Sequence, residues 1–86
     1  MRLYVAVIGA ILGDIAGSQY EEYRPDDLNW RECELFTDQC QFTDDTVMTL
    51  AVKEAIVSQL SLPIVMQSIG RHYPYCGWGK KFYYWI

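Results

Sequence analysis

The sequence predicts an all-α protein on three observations. Apolar residues recur at helical spacing in the first and middle parts of the chain. Glycines and prolines punctuate it at intervals long enough for a helix between them. No segment of useful length alternates apolar and polar residues as a half-buried strand would. With 86 residues the chain is at most one small domain, and chains of that size bury only about 60–65% of their extended-state surface. Its composition, 51% apolar and 15% aromatic, is that of a globular protein and excludes a disordered one.

The first expected helix runs from about Leu3 to Ser18 and is apolar nearly all round, which predicts burial inside a larger helical body. Gly9, Gly13 and Gly17 recur every fourth residue on one of its faces. A face without side chains admits a helix or a ligand closely, at the cost of helix propensity. Met1-Arg2 followed by an apolar run also has the form of a short signal-peptide core. Asp14 closes that run with no small-x-small cleavage site before it, and the run falls short of the roughly 20 residues that span a bilayer. The expectation is therefore a buried first helix. Asp14 also makes glycine-mediated pairing inside a membrane the weaker account.

From Glu21 to Gln41 the pattern dissolves into turn chemistry, with Pro25-Asp26-Asp27 and Asn29 among alternating charges and single aromatics. A loop of about twenty residues is long enough to be functional. A second helix is expected from about Asp44 to Gln59, with Val47, Leu50, Ala51, Ile56, Val57 and Leu60 on a broad apolar face. Ser61-Leu62-Pro63 ends it and starts a third, running from about Pro63 to Arg71 or His72. Tyr73-Pro74 stops that one, since the residue before a proline avoids the helical region. Lys80 to Ile86 then reads as two further turns of helix.

The net charge of −4, with no basic cluster larger than Lys80-Lys81, argues against a nucleic-acid partner. Cys33, Cys40 and Cys76 are odd in number and fit no metal-ligand spacing. They suit reduced thiols in a cytoplasmic protein, the alternative being a Cys33–Cys40 disulfide in a secreted one. The aromatics crowd between Tyr73 and Trp85, and rings of that size need a core or an interface. A complementing chain, a continuing fold or self-association would cover them.

Three segments can carry chemistry. Thr43-Asp44-Asp45-Thr46 places a hydroxyl and two adjacent carboxylates at the start of the second helix. As helix chemistry, Thr43 is a good N-cap, and acids in the first turn favour the dipole by about 0.3–1 kcal/mol each. As site chemistry, two neighbouring carboxylates repel, and a hard cation such as Mg²⁺, which takes six oxygens, relieves that repulsion. Gly13-Asp14-Ile15-Ala16-Gly17-Ser18-Gln19-Tyr20-Glu21 supplies an aspartate inside an apolar helix and a glutamate at its end. Tyr73-Pro74-Tyr75-Cys76-Gly77-Trp78-Gly79 supplies a loop whose glycines let backbone amides approach an anion such as a pyrophosphate. Its bland reading is an aromatic packing corner. His72 is placed as a helix cap or surface residue rather than a catalyst.

In chain order the three segments resemble the N-terminal part of the ADP-ribosylglycohydrolase family, whose motifs read G-D-x-x-G-x-x-[YF], T-D-D-T and Y-P-x-x-G-Y-G, with Trp78 standing where tyrosine is frequent. The resemblance implies the N-terminal portion of that family's orthogonal helical fold, residues 1–86 forming a partial domain. It implies Mg²⁺-dependent hydrolysis of the glycosidic bond between ADP-ribose and a protein or small-molecule acceptor. By resemblance, Thr43, Asp44 and Asp45 are ligands of a binuclear Mg²⁺ site. Glu21 orients the attacking water or gates the substrate, Asp14 supports the site from behind, and Gly77, Trp78 and Gly79 line the substrate. The family's other metal ligands come from a D-x-D-T run that this sequence lacks. Two alternatives follow: a non-catalytic remnant, or a crystallin-like structural protein on the same scaffold.

Overall fold

The computed structural model describes residues 2–21, 24–29 and 31–86, so parts of the long loop expected between Glu21 and Gln41 lie outside the described residues. Four helices follow one another: α1 (Arg2–Ser18), α2 (Asp44–Val57), α3 (Leu62–Arg71) and α4 (Lys80–Trp85). No strand occurs among the described residues, and the fold is all-α as the periodicity predicts. Among the described residues no helix is long and apolar enough to cross a membrane.

α2 is the central element, packed by α1 on one side and by α3 on the other. Its start follows from Thr43, which has extended backbone and whose hydroxyl accepts the Asp45 N–H at 3.3 Å. At its other end Gln59 adopts a left-handed φ of 54°, and the Leu60 N–H reaches back to the Ala55 carbonyl at 3.0 Å. That closure is the one a glycine normally makes. A side chain there costs about 1–2 kcal/mol in backbone sterics, partly offset by the freedom a glycine brings to the unfolded chain. Gln59→Gly is therefore expected to stabilise the protein by about 0.5–1 kcal/mol, read as a higher urea midpoint at unchanged slope.

The core is narrow. Ala51, Ala55 and Val65 form its buried centre, with Met48, Met66 and Ile69 packed around them. The face expected on α2 is thus only partly covered. Val47 and Ala51 are buried, whereas Leu50, Ile56, Val57 and Leu60 remain between 41% and 58% exposed. The inward line is Val47, Ala51, Ala55, a single i, i+4, i+8 stripe. Pro63 sits in the first turn of α3, and His72 is its C-cap, with the ring Nδ1 2.8 Å from the Ser68 carbonyl.

α1 departs further from its expectation. Asp14 is its one buried residue, and Tyr4, Val5, Ile8 and Leu12 are each about half exposed or more. The body is only 18 Å across its thinnest direction, under two helix diameters. The helix packs chiefly against α2, which leaves much of its surface uncovered. A Cβ built on Gly9, Gly13 or Gly17 would meet nothing within 4 Å.

Two polar ties fix the rest. Gln19 holds the long loop to the end of α1: its amide donates to the carbonyls of Glu34 and Leu35 at 3.2 and 3.1 Å, and its oxygen accepts the Thr37 hydroxyl at 3.0 Å. The Ser18 hydroxyl accepts the Gln41 N–H at 2.9 Å. At the other end of the chain, Gln67 donates to the Trp85 carbonyl at 3.0 Å and Arg71 to that of Ile86. Gly70 leaves the room that the Ile86 side chain fills, since a Cβ there would come within 3.3 Å of it.

Candidate functional site

Asp14, Thr43 and Thr46 form the structural heart of the site. Asp14 lies one turn before the end of α1, with its carboxylate at the N-terminus of α2. The Thr43 hydroxyl donates to Asp14 Oδ1 at 2.6 Å, and the Thr43 N–H donates to Oδ2 at 2.8 Å. Thr46 adds its N–H at 3.2 Å and its hydroxyl at 2.7 Å, both to Oδ2. All three residues are buried. Burial pushes the Asp14 carboxyl up, but the four donors more than offset it, and its pKa lies below the ordinary value of 3.8. The negative end of this bond set also faces the positive end of the α2 dipole.

Asp14 Oδ2 is saturated by three donors, while Oδ1 takes one and keeps a lone pair. The carboxylates of Glu21 and Asp45 complete a cluster with Asp14 in which all three groups approach within 4.8 Å of one another. Asp14 is the buried member, and the other two are exposed.

The cluster stands at one end of a groove of about 800 Å³ between α1 and α2. Ala6, Ala10, Gly13 and Gly17 give α1's side of it little bulk, Met48 and Val52 come from α2, and Lys53 lies along it. Asp45 faces this groove. Asp44, its neighbour in sequence, does not line it. Asp44 instead serves the loop after α3, donating its N–H to the Cys76 carbonyl at 2.8 Å. Burial, and then the charges of Asp44 and Asp14, push the Cys76 thiol above its ordinary value, so it stays protonated at neutral pH.

That same bond sets the Gly77-Trp78-Gly79 loop beside the start of α2. Gly77 has a φ of +89°, a conformation side chains rarely adopt. The Trp78 ring stacks on Phe82 with centroids 5.1 Å apart, and its N–H donates to the Tyr73 carbonyl at 2.8 Å. The loop does not line the α1–α2 groove. No disulfide joins Cys33, Cys40 and Cys76.

Of the residues singled out from sequence, Asp14, Glu21 and Asp45 are brought together, Thr43 is joined to them through Asp14, and Asp44 and the Gly77–Gly79 loop stand on the adjoining side. Thr46 had no role assigned beyond its place in the motif. Its signal was the Thr43–Thr46 spacing, since residues three apart at a helix start share a face. Gln19, Ser18 and Met48 carried no comparable mark. In comparison with known proteins, the chain matches no protein-family model, no curated protein and no solved structure.

Proposed function

We propose that the carboxylates of Asp45, Glu21 and Asp14 are part of a Mg²⁺ site. On this reading the protein shares the helical scaffold and chemistry of the ADP-ribosylglycohydrolases, hydrolysing the bond between ADP-ribose and a protein or small-molecule acceptor. The observation that carries the reading is the convergence of three carboxylates within 4.8 Å at the mouth of a groove. An all-oxygen, negatively charged donor set suits a hard cation, which Mg²⁺ is, and which commonly keeps several waters of its own. Bound there, Mg²⁺ would lower the pKa of a water and hold ribose hydroxyls.

The chain's own residues have the following roles in this proposal. Asp45 and the remaining lone pair of Asp14 Oδ1 hold the cation, with Thr43 and Asp44, the other ligands the resemblance names, in the adjoining turn. Glu21, exposed at the edge of the cluster, orients the attacking water and takes its proton as the anomeric carbon becomes oxocarbenium-like. The Gly77–Gly79 amides, tied beside the start of α2 through Asp44 and Cys76, receive the pyrophosphate. The face of Trp78 away from Phe82 covers the nucleoside.

One observation favours a second reading. Asp14, Thr43 and Thr46 satisfy one another without an ion, which a metal-free structural protein on this scaffold would also need.

Release of ADP-ribose from a modified protein, followed with and without Mg²⁺, tests the proposal. Release is expected to require Mg²⁺ and to fall at least about 100-fold in Asp45→Ala, the scale on which a group acting on the transition state is lost. Release that ignores both the metal and the substitution would overturn it, and metal binding without release would leave the non-catalytic form of the scaffold.

A further inference from the structure

Two surfaces of this molecule complement each other but cannot meet within one copy as it is folded. The first is the α1–α2 groove. Ala6, Ala10, Gly13 and Gly17 line it with little bulk, nothing stands within 4 Å of a Cβ built on either glycine, and its carboxylates gather at one end. The second is α4. Tyr84 is 76% exposed, and Tyr83 and Trp85 are nearly half exposed. The helix begins with Lys80-Lys81, both exposed and the sole adjacent pair of basic residues in a chain of net charge −4.

We propose that α4 of a second copy of this chain seats in the α1–α2 groove, its lysines over Asp14, Glu21 and Asp45 and its Tyr84 and Trp85 rings, which share a side of the helix with the lysines, on the small residues beyond. Size supports the fit. The groove from the level of Asp14 to that of Ala6 is eight residues of helix, about 12 Å, and the six residues of α4 rise about 9 Å. Large rings against Ala and Gly are the pairing that lets two helices approach closely while filling the space between them.

Charge fixes the direction. Lys53 lies along the groove with its ammonium 5.8 Å over the Tyr4 ring, near the start of α1. A reversed α4 would bring Lys80 and Lys81 toward that like charge and away from the carboxylates, so one orientation is favoured over the other. Each copy carries both surfaces. The contact therefore closes as a reciprocal two-fold pair or runs on head to tail. It needs only the negative charge of the carboxylates, and because a seated α4 fills the groove where the catalytic proposal puts the cation, the two compete for one face.

Sedimentation velocity over a micromolar concentration series tests this, with circular dichroism confirming helix content in every variant. The wild type is expected to associate reversibly. Lys80→Glu/Lys81→Glu, on solvent-exposed positions that leave the fold intact, is expected to weaken association at least about 10-fold by placing like charges together. Ala10→Trp, which fills the groove with a ring of its own, is expected to weaken it comparably. Adding Asp45→Lys to the double lysine reversal is expected to recover part of the loss. A wild type that stays monomeric throughout overturns the proposal. So does association that either the lysine reversal or Ala10→Trp leaves unchanged.

Discussion

Asp14→Ala is expected to lower the stability of the protein by about 3–5 kcal/mol, the range for removing one partner of a buried, charge-assisted network. The Thr43 N–H and the two threonine hydroxyls lose the acceptor they share, in a place where all three residues are buried. The Thr46 N–H keeps a second acceptor, the Thr43 carbonyl at 3.1 Å, which holds the cost below a simple sum of four bonds. Against a total of about 4–13 kcal/mol for a domain of this length, the loss is severe. Asp14→Asn should fall between, because one oxygen remains but the new amide sets donor against donor. Urea unfolding reads both, and a midpoint for Asp14→Ala within about 1 kcal/mol of wild type would show that the network is not the joint between α1 and α2. The pH dependence has a definite sign. A carboxyl held below its ordinary value of 3.8 contributes stability that is fully present above that value and lost as pH falls through the folded-state pKa. The wild-type advantage over Asp14→Asn should be constant from neutral pH down to about 5 and shrink below about 4.

Asp45→Asn is expected to act in opposite directions with and without metal. Without metal it removes one of three carboxylates lying within 4.8 Å of one another, so the apo protein should gain a few tenths of a kcal/mol to about 1, as expected for relieving an exposed like-charge contact. It leaves the Asp45 N–H free to reach Thr43, so the N-cap survives. If Mg²⁺ binds as proposed, the substitution removes a charged oxygen ligand, and Mg²⁺ affinity should drop at least about 10-fold, read as loss of the metal-induced rise in Tm. Asp44→Asn is the informative companion. Asp44 does not line the groove, so geometry predicts a smaller loss than at Asp45, whereas the T-D-D-T resemblance predicts comparable losses. Equal effects at the two positions would favour the ligand set read from the motif.

The parts of this fold that lie within a few residues of one another were legible in the sequence. Thr43 as an N-cap, Pro63 in a first turn, the stop at Tyr73-Pro74 and the helix at Lys80 each follow from local backbone chemistry. What depended on distant partners was not. The apolar surround of α1 reads as a buried helix, yet its one packed neighbour leaves Val5 and Ile8 more than half exposed. Leu50 and Ile56 look as inward as Val47, and Ala55, which is inward, has too small a side chain to mark itself. The site shows the same division. Asp45 and Glu21 stand out as acids near motifs, but the meeting of Asp14 with Thr43 and Thr46 spans 29 and 32 residues, and no periodicity encodes a contact of that range.

The flatness of the α1 stripe has a consequence for how the two long helices find their alignment. Alanine and glycine on the groove side of α1 give few ridges for a neighbouring helix to lock into, and a Cβ on Gly13 or Gly17 would touch nothing, so this stripe does not fix where α1 stands against α2. The carboxylate of Asp14 removes that freedom. It is a single point on α1 that accepts four bonds at one axial position of α2, and a shift of one turn, about 5.4 Å, breaks all of them together. Asp14 acts as a detent, setting the register of two smooth cylinders, and every residue placed by that register, Glu21 and Asp45 among them, inherits its position from it.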